Sequence, residues 1–230
     1  MINQAYPPKI IASVSDWEQW KSLKGKNLTD VCDWVELRVD GLPQGLSAAE
    51  VMAYKPDMPI LVTVRCPNEG GFAPMDDSTR FLLMEDYLPY ATALDIEIQH
   101  LEKTQELIQK AKAKGVTIIA SGHDFLQTPG EDYLHEQEKY ARQLHADIVK
   151  FAYTLHSFED IATGISLLHR RKGNVAVMGM GELGAISRLA YAQHGSCLIY
   201  GHLDGQATAP GQWPVALYRQ ALSNLSPINR

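Results

Sequence analysis

The chain has 230 residues, 45% hydrophobic and 21% charged, proportions that fit a soluble protein with a substantial core and exclude disorder. With a net charge of -6 and a pI near 5.7 it has no clustered positive charge for a phosphate backbone, so no nucleic-acid partner is expected. Its cysteines, Cys32, Cys66 and Cys197, lack disulfide-framework or zinc-ligand spacing, and no run has signal-peptide or membrane-span character, so a reduced, cytoplasmic protein without a membrane partner is expected.

β-rich runs alternate with helical apolar spacing from one end to the other. KIIASV (9–14) precedes SDWEQWKSLKG (15–25), and DWVELRV (33–39) precedes LSAAEVMAY (46–54), a helix of only about two turns. PILVTVR (59–65) is followed by TRFLLMEDYL (79–88), and ALDIEI (93–98) by LEKTQELIQKAKAKG (101–115), which ends in lysines and a glycine stop. VTIIAS (116–121) leads to EDYLHEQEKYARQLH (131–145), and DIVKFAY (147–153) to SFEDIATGISLLHRRKG (157–173). NVAVMGM (174–180) leads to ELGAISRLAYAQHG (182–195), and SCLIYG (196–201) to PVALYRQAL (214–222). Eight strand–helix alternations predict parallel strands with right-handed crossovers, an α/β fold closed as a single-domain (β/α)8 TIM barrel over residues 1–230. A doubly wound sheet is the runner-up.

Gly179, Gly181 and Gly184 stand in the G-x-G-x-x-G spacing of a dinucleotide-binding turn, and Asp204 lies where a ribose-binding acid belongs. Only one strand follows, too little to finish a nucleotide-binding half, so the glycines read as a tight turn on the barrel's catalytic face. The Gly/Pro-rich stretch at 204–213 reads as a lid loop over the mouth.

Charged residues inside strands buried on both faces need partners or a task. Glu36 and Arg38 share one face of strand 2, Arg65 ends strand 3, Glu97 lies near the end of strand 4, His123 follows strand 5, and Lys150 sits inside strand 6. Any one of these could be a structural ion pair, but in a barrel those strand ends converge on one cavity. Burial and neighbouring arginines are expected to favour the free amine of Lys150, which can attack a ketone or aldehyde and form a Schiff base. The protonated imine acidifies the adjacent carbon, and His123 suits the role of base there. Arg65 and Arg188 suit a substrate carboxylate, and Met178 and Met180 share a face that can pack on a carbon ring.

The motifs PKIIASV, VELRVD, TVRCPNEGG, DIEI, IIASGHD, DIVKFAYT, VMGMGELGAISR and ATAPGQ, in this order over nearly the whole chain, resemble type I 3-dehydroquinate dehydratase, the Schiff-base family of the shikimate pathway. The resemblance implies that Lys150 forms the imine with 3-dehydroquinate, that His123 removes the proton and returns one to the leaving hydroxyl, and that Glu69 supports His123. By the same likeness Glu36, Arg38 and Arg65 hold ring hydroxyls, and Arg188, Thr208 and Gln212 bind the carboxylate end and the lid. Met178 and Met180 pack on the ring, no metal or organic cofactor takes part, and the active form is a homodimer. Gly122 stands where the family commonly carries asparagine or tyrosine, and Thr208 where its lid usually has serine. Two other readings of these residues stay open: a class I aldolase-type lyase, and a non-catalytic sensor of quinate-like ligands.

Overall fold

A computed structural model describes residues 7–203 and 207–225. Its strands are β1 (Lys9–Val14), β2 (Trp34–Arg38), β3 (Ile60–Thr63), β4 (Ala93–Glu97), β5 (Thr117–Asp124), β6 (Ile148–Thr154), β7 (Asn174–Met180) and β8 (Leu198–His202). Between and after them run α1 (Trp17–Ser22), α2 (Ala48–Met52), α3 (Asp77–Tyr87), α4 (Gln105–Ala113), α5 (Glu131–Gln143), α6 (Phe158–Arg170), α7 (Gly184–Gln193) and α8 (Val215–Asn224). All strand pairs are parallel, in the order β7-β6-β5-β4-β3-β2-β1-β8.

The eight parallel strands form the expected (β/α)8 barrel, and at its one seam β7 and β8 meet without a ladder. There the Cys197 N–H donates to the Val175 carbonyl at 2.9 Å, and the Val177 N–H donates to the Ser196 hydroxyl at 2.9 Å. A backbone bond and a side chain thus bridge a nearly closed barrel.

Helix starts follow local chemistry. Asp16 caps α1 by accepting from the Gln19 N–H at 2.7 Å, and Ser47 with Glu50 and Ser157 with Asp160 form capping boxes on α2 and α6. At the other ends the chain turns through a left-handed residue before the next strand at Gly115 and Gly195, but at His145 after α5 a non-glycine residue takes the same conformation (φ 70).

Period-2 alternation gives the barrel interior three tiers. The lowest is an apolar plug of Ile11, Trp34, Leu61, Ala93, Ile119, Ile148, Ala176 and Leu198. Two residues further along the same strands stand Ser13, Glu36, Thr63, Asp95, Ser121, Lys150, Met178 and Tyr200, and two further again come Arg38, Arg65, Glu97, His123, Ala152 and Met180. Apolar burial therefore supplies a floor, and polarity rises toward the C-terminal ends of the strands, where barrel sites are built. β5 runs three residues past its expected end, so His123 lies within the strand, while β3 stops at Thr63 and leaves Arg65 just beyond it.

Candidate active site

Eleven of the side chains singled out from the sequence line one cavity at this end of the barrel, and Glu97, the one charged strand residue outside that lining, meets it through Arg65. Lys150, on β6, is 5% exposed. Its Nζ donates to Asp95 Oδ2 at 2.8 Å and stands 4.7 Å from the centroid of the Tyr200 ring. The expectation that arginines would face this amine is therefore corrected: its nearest charge is a carboxylate. Asp95 also accepts from Arg65 Nη2 at 2.9 Å and from the Ser121 hydroxyl at 2.5 Å. Burial by itself would raise the Asp95 carboxyl, but Arg65 and Lys150 outweigh it and hold the group well below the usual carboxylate range.

Arg65 is committed to this network, since Nη1 donates to Glu97 at 3.1 Å and to Ser121 at 2.7 Å. Glu97 in turn accepts from Arg80 and from the Cys66 N–H at 2.8 Å. Arg38 grips Asp40 through Nε and Nη2, at 3.0 and 2.7 Å, and the Phe72 ring lies 4.7 Å from its guanidinium carbon. Glu36 accepts from the Ser13 hydroxyl and, at 2.8 Å, from the Thr63 hydroxyl.

Arg188, on α7, differs from these arginines. It is 2% exposed, with Nη1 donating to the Tyr200 carbonyl at 2.7 Å and Nε to the Gly179 carbonyl at 3.3 Å, and no acid among the described residues pairs with it. Burial presses its guanidinium below the ordinary range. A buried cation without a counter-ion is costly, which favours an anionic ligand group beside it.

His123 and Glu69 form the second focus. Nδ1 of His123 lies 2.7 Å from Glu69 Oε2, which also accepts the His123 N–H at 3.1 Å, while Gln99 donates to Glu69 Oε1 at 2.6 Å. Burial first, then the charges of Arg65 and Lys150, hold the imidazole well below its ordinary pKa. Burial also pushes the Glu69 carboxyl up to about 7 against the pull of Arg65. A neutral imidazole whose Nδ1 is tied to an acid presents Nε2 as a base.

Gly122 is not required for this geometry, because a Cβ there would meet Ile98 Cδ1 at 3.5 Å, an ordinary contact, and Glu69 anchors the histidine from another loop. Thr208 keeps its hydroxyl at work, with both N–H and Oγ1 donating to Gln212 Oε1, at 2.9 and 3.0 Å. Of the expected lid at 204–213, residues 204–206 lie outside the described ones. The glycine motif belongs to the same corner: Gly181 turns through φ +84, and a Cβ on Gly184 would come within 3.1 Å of Gly211 Cα, so the bare turn seats the chain beside Gln212.

Metal-ligating atoms come together among the described residues only at Cys66, Glu97 and His100. Burial, and then the Glu97 charge, push the Cys66 thiol up to about 11, and two arginines already hold Glu97, so this trio is a hydrogen-bonded buttress ill-suited to a cation.

The family model described as type I 3-dehydroquinase matches residues 14–229. The chain belongs to the type I 3-dehydroquinase family. It is 32% identical over 209 residues to the catabolic 3-dehydroquinate dehydratase of Acinetobacter baylyi, covering 85% of this chain and 76% of that one. Identity to the 3-dehydroquinate dehydratase of Klebsiella pneumoniae is also 32%, over 84% of this chain and 83% of that one. The crystal structure of 3-dehydroquinate dehydratase from Geobacillus kaustophilus superimposes with a TM-score of 0.86 at 25% identity, over 98% of this chain and 94% of that one. For this type I dehydroquinase the interior residues that sequence reasoning passed over are Asp95, Ser121 and Tyr200. The period-2 signal that picked out Glu36 and Arg38 also marks Asp95, two residues before Glu97 on the same face.

Proposed function

We propose that this chain dehydrates 3-dehydroquinate to 3-dehydroshikimate through an imine on Lys150. The amine in its free form attacks the C3 ketone, the carbonyl oxygen leaves as water with one proton from the amine and one relayed from solvent through His123, and the nitrogen keeps one proton and a positive charge. His123 Nε2 takes a proton from C2, the electrons settle into the C=N system, and the same histidine then gives a proton to the C1 hydroxyl, which leaves as water. Hydrolysis returns the amine. Glu69 keeps His123 in the Nδ1–H tautomer, and Asp95 holds the nitrogen of Lys150 in place.

Arg188 takes the substrate carboxylate, Glu36 with Arg38 and Arg65 orders the ring hydroxyls, and Met178 and Met180 lie against the ring. Thr208 and Gln212 belong to a lid that closes over the carboxylate end. The observation that carries the reading is that a buried lysine, an acid-supported neutral imidazole and an arginine without an acidic partner open on one cavity. An aldolase-type lyase has no such support, since the Acinetobacter and Klebsiella relatives are 3-dehydroquinate dehydratases.

Assay of enone product with purified variants tests the roles. Lys150→Ala is expected to lose turnover and covalent capture together, and His123→Ala to lose turnover while still capturing ketone. Full activity in Lys150→Ala would overturn the mechanism. By its family likeness the chain works as a cytoplasmic homodimer, and light scattering in solution reads the dimer directly. No helix among the described residues is long and apolar enough to cross a membrane.

A further inference from the structure

Tyr200 stands in the middle tier of the barrel interior, level with Lys150, and hydrogen bonding does not explain its hydroxyl. It is 4% exposed, on β8, and its hydroxyl is buried with no partner, which costs stability. Its face lies 4.7 Å from Lys150 Nζ, on a nitrogen whose hydrogen-bond partner is Asp95. Its carbonyl accepts from Arg188 Nη1 at 2.7 Å. One residue thus fixes the lysine by its ring and the arginine by its backbone.

We propose that the ring face of Tyr200, and not its hydroxyl, is the positioning element that keeps the nitrogen of Lys150 cationic after it has become an imine. This rests on the reading that Lys150 forms the imine. An iminium carries a single N–H, which Asp95 accepts, so the remaining charge is spread over C=N and needs a diffuse partner. An aromatic face supplies one without adding net charge or competing for the proton, and the attraction is strongest where water is excluded. The charged and titratable groups that share the cavity with this nitrogen or touch it are Asp95 on β4, Glu36 and Arg38 on β2, Arg65 and Glu69 after β3, His123 on β5 and Arg188 on α7. Three are arginines, and on their sides electrostatics push the iminium to shed its proton. A neutral imine is a poor electron sink, and proton removal at C2 stalls when it forms.

The test replaces Tyr200 in the whole enzyme by Phe, by Phe carrying one, two and three ring fluorines, and by Leu. Fluorine drains the ring face of negative charge while keeping its shape. At saturating substrate, the alkaline limb of the rate profile is expected to stay in place in Tyr200→Phe. It is expected to move stepwise to lower pH with each fluorine, reaching about 0.4 to 1.5 pH units in Tyr200→Leu. Thermal stability of Tyr200→Phe is expected to match or exceed that of the parent. The fluorinated series keeps the test intact should Tyr200→Leu fail to fold. Borohydride trapping in each variant separates the two claims: absence of a Lys150 adduct in the parent defeats the imine reading itself. An adduct with an alkaline limb that ignores fluorination defeats the role of the ring alone, and equal damage in Tyr200→Phe and Tyr200→Leu shifts the role to the hydroxyl.

Discussion

Removing the charge of Glu69 separates what this acid costs the fold from what it gives to catalysis. Burial raises its carboxyl from 4.5 to about 7, so between those values the folded protein holds a proton that the unfolded chain has released. Stability then falls as pH rises through this window, because the unfolded state binds fewer protons than the native one. A rise of that size corresponds to about 3 kcal/mol once both states are ionised. Glu69→Gln has no charge to bury. Any fixed change in hydrogen bonding to Gln99 or to the His123 N–H is the same at every pH, so the difference between two pH values isolates the ionisation. Denaturant titrations of both proteins at about pH 5 and about pH 7.5 are expected to show the variant gaining about 2 kcal/mol on the parent between the two. Turnover at neutral pH is expected to fall by roughly 10²-fold, because a single amide oxygen cannot accept from both Gln99 and His123, and the histidine loses its charged support. A pH-independent stability difference, or wild-type turnover in Glu69→Gln, would refute this view of the pair.

Asp95→Asn removes a carboxylate that meets Lys150 at 2.8 Å and Arg65 at 2.9 Å, leaving two buried cations short of a partner. A loss of about 3–5 kcal/mol is expected, read by calorimetry as a fall of roughly 10 °C or more in Tm, with adduct formation at Lys150 reduced alongside. His145→Gly, at an exposed position with φ 70, is expected to stabilise by about 0.5–1 kcal/mol in the same assay without touching activity. Thr208→Val takes away a hydroxyl that donates to Gln212 Oε1, and KM is expected to rise several-fold while borohydride capture at saturation persists, whereas Thr208→Ser is expected to behave as the parent.

The order of the elements was legible because parallel strands buried on both faces read as short apolar runs and the helices between them carry caps and stop signals. β7 matches its sequence range from Asn174 to Met180. Limits appeared where tertiary pairing decides. β5 reaches Asp124 because β6 extends the ladder alongside it, His123 opposite Ala152 and Asp124 opposite Tyr153, and nothing local in GHD announces a strand. The open seam beside β8 depends on a serine hydroxyl standing in for a backbone bond, which no periodicity encodes.

Within the site, residues with charge in an apolar setting announced themselves, and the cavity gathers all of them but Glu97. Asp95 carried the same signal and was overlooked beside Glu97, although it is the acid that Lys150 touches. Tyr200 gave no signal at all, since a tyrosine in an apolar strand is ordinary core. Its meaning comes only from the ring lying over the lysine nitrogen. The glycine spacing at 179, 181 and 184 has its physical reason in the close approach of one turn to Gly211.

The central claim is covalent, so the most direct measurement is intact mass of the protein after borohydride reduction in the presence of 3-dehydroquinate, followed by peptide mapping. The account predicts one reduced adduct per chain, carried on Lys150, with enone product accumulating in unreduced controls. Enone production without an adduct, or an adduct on a different lysine, would contradict it.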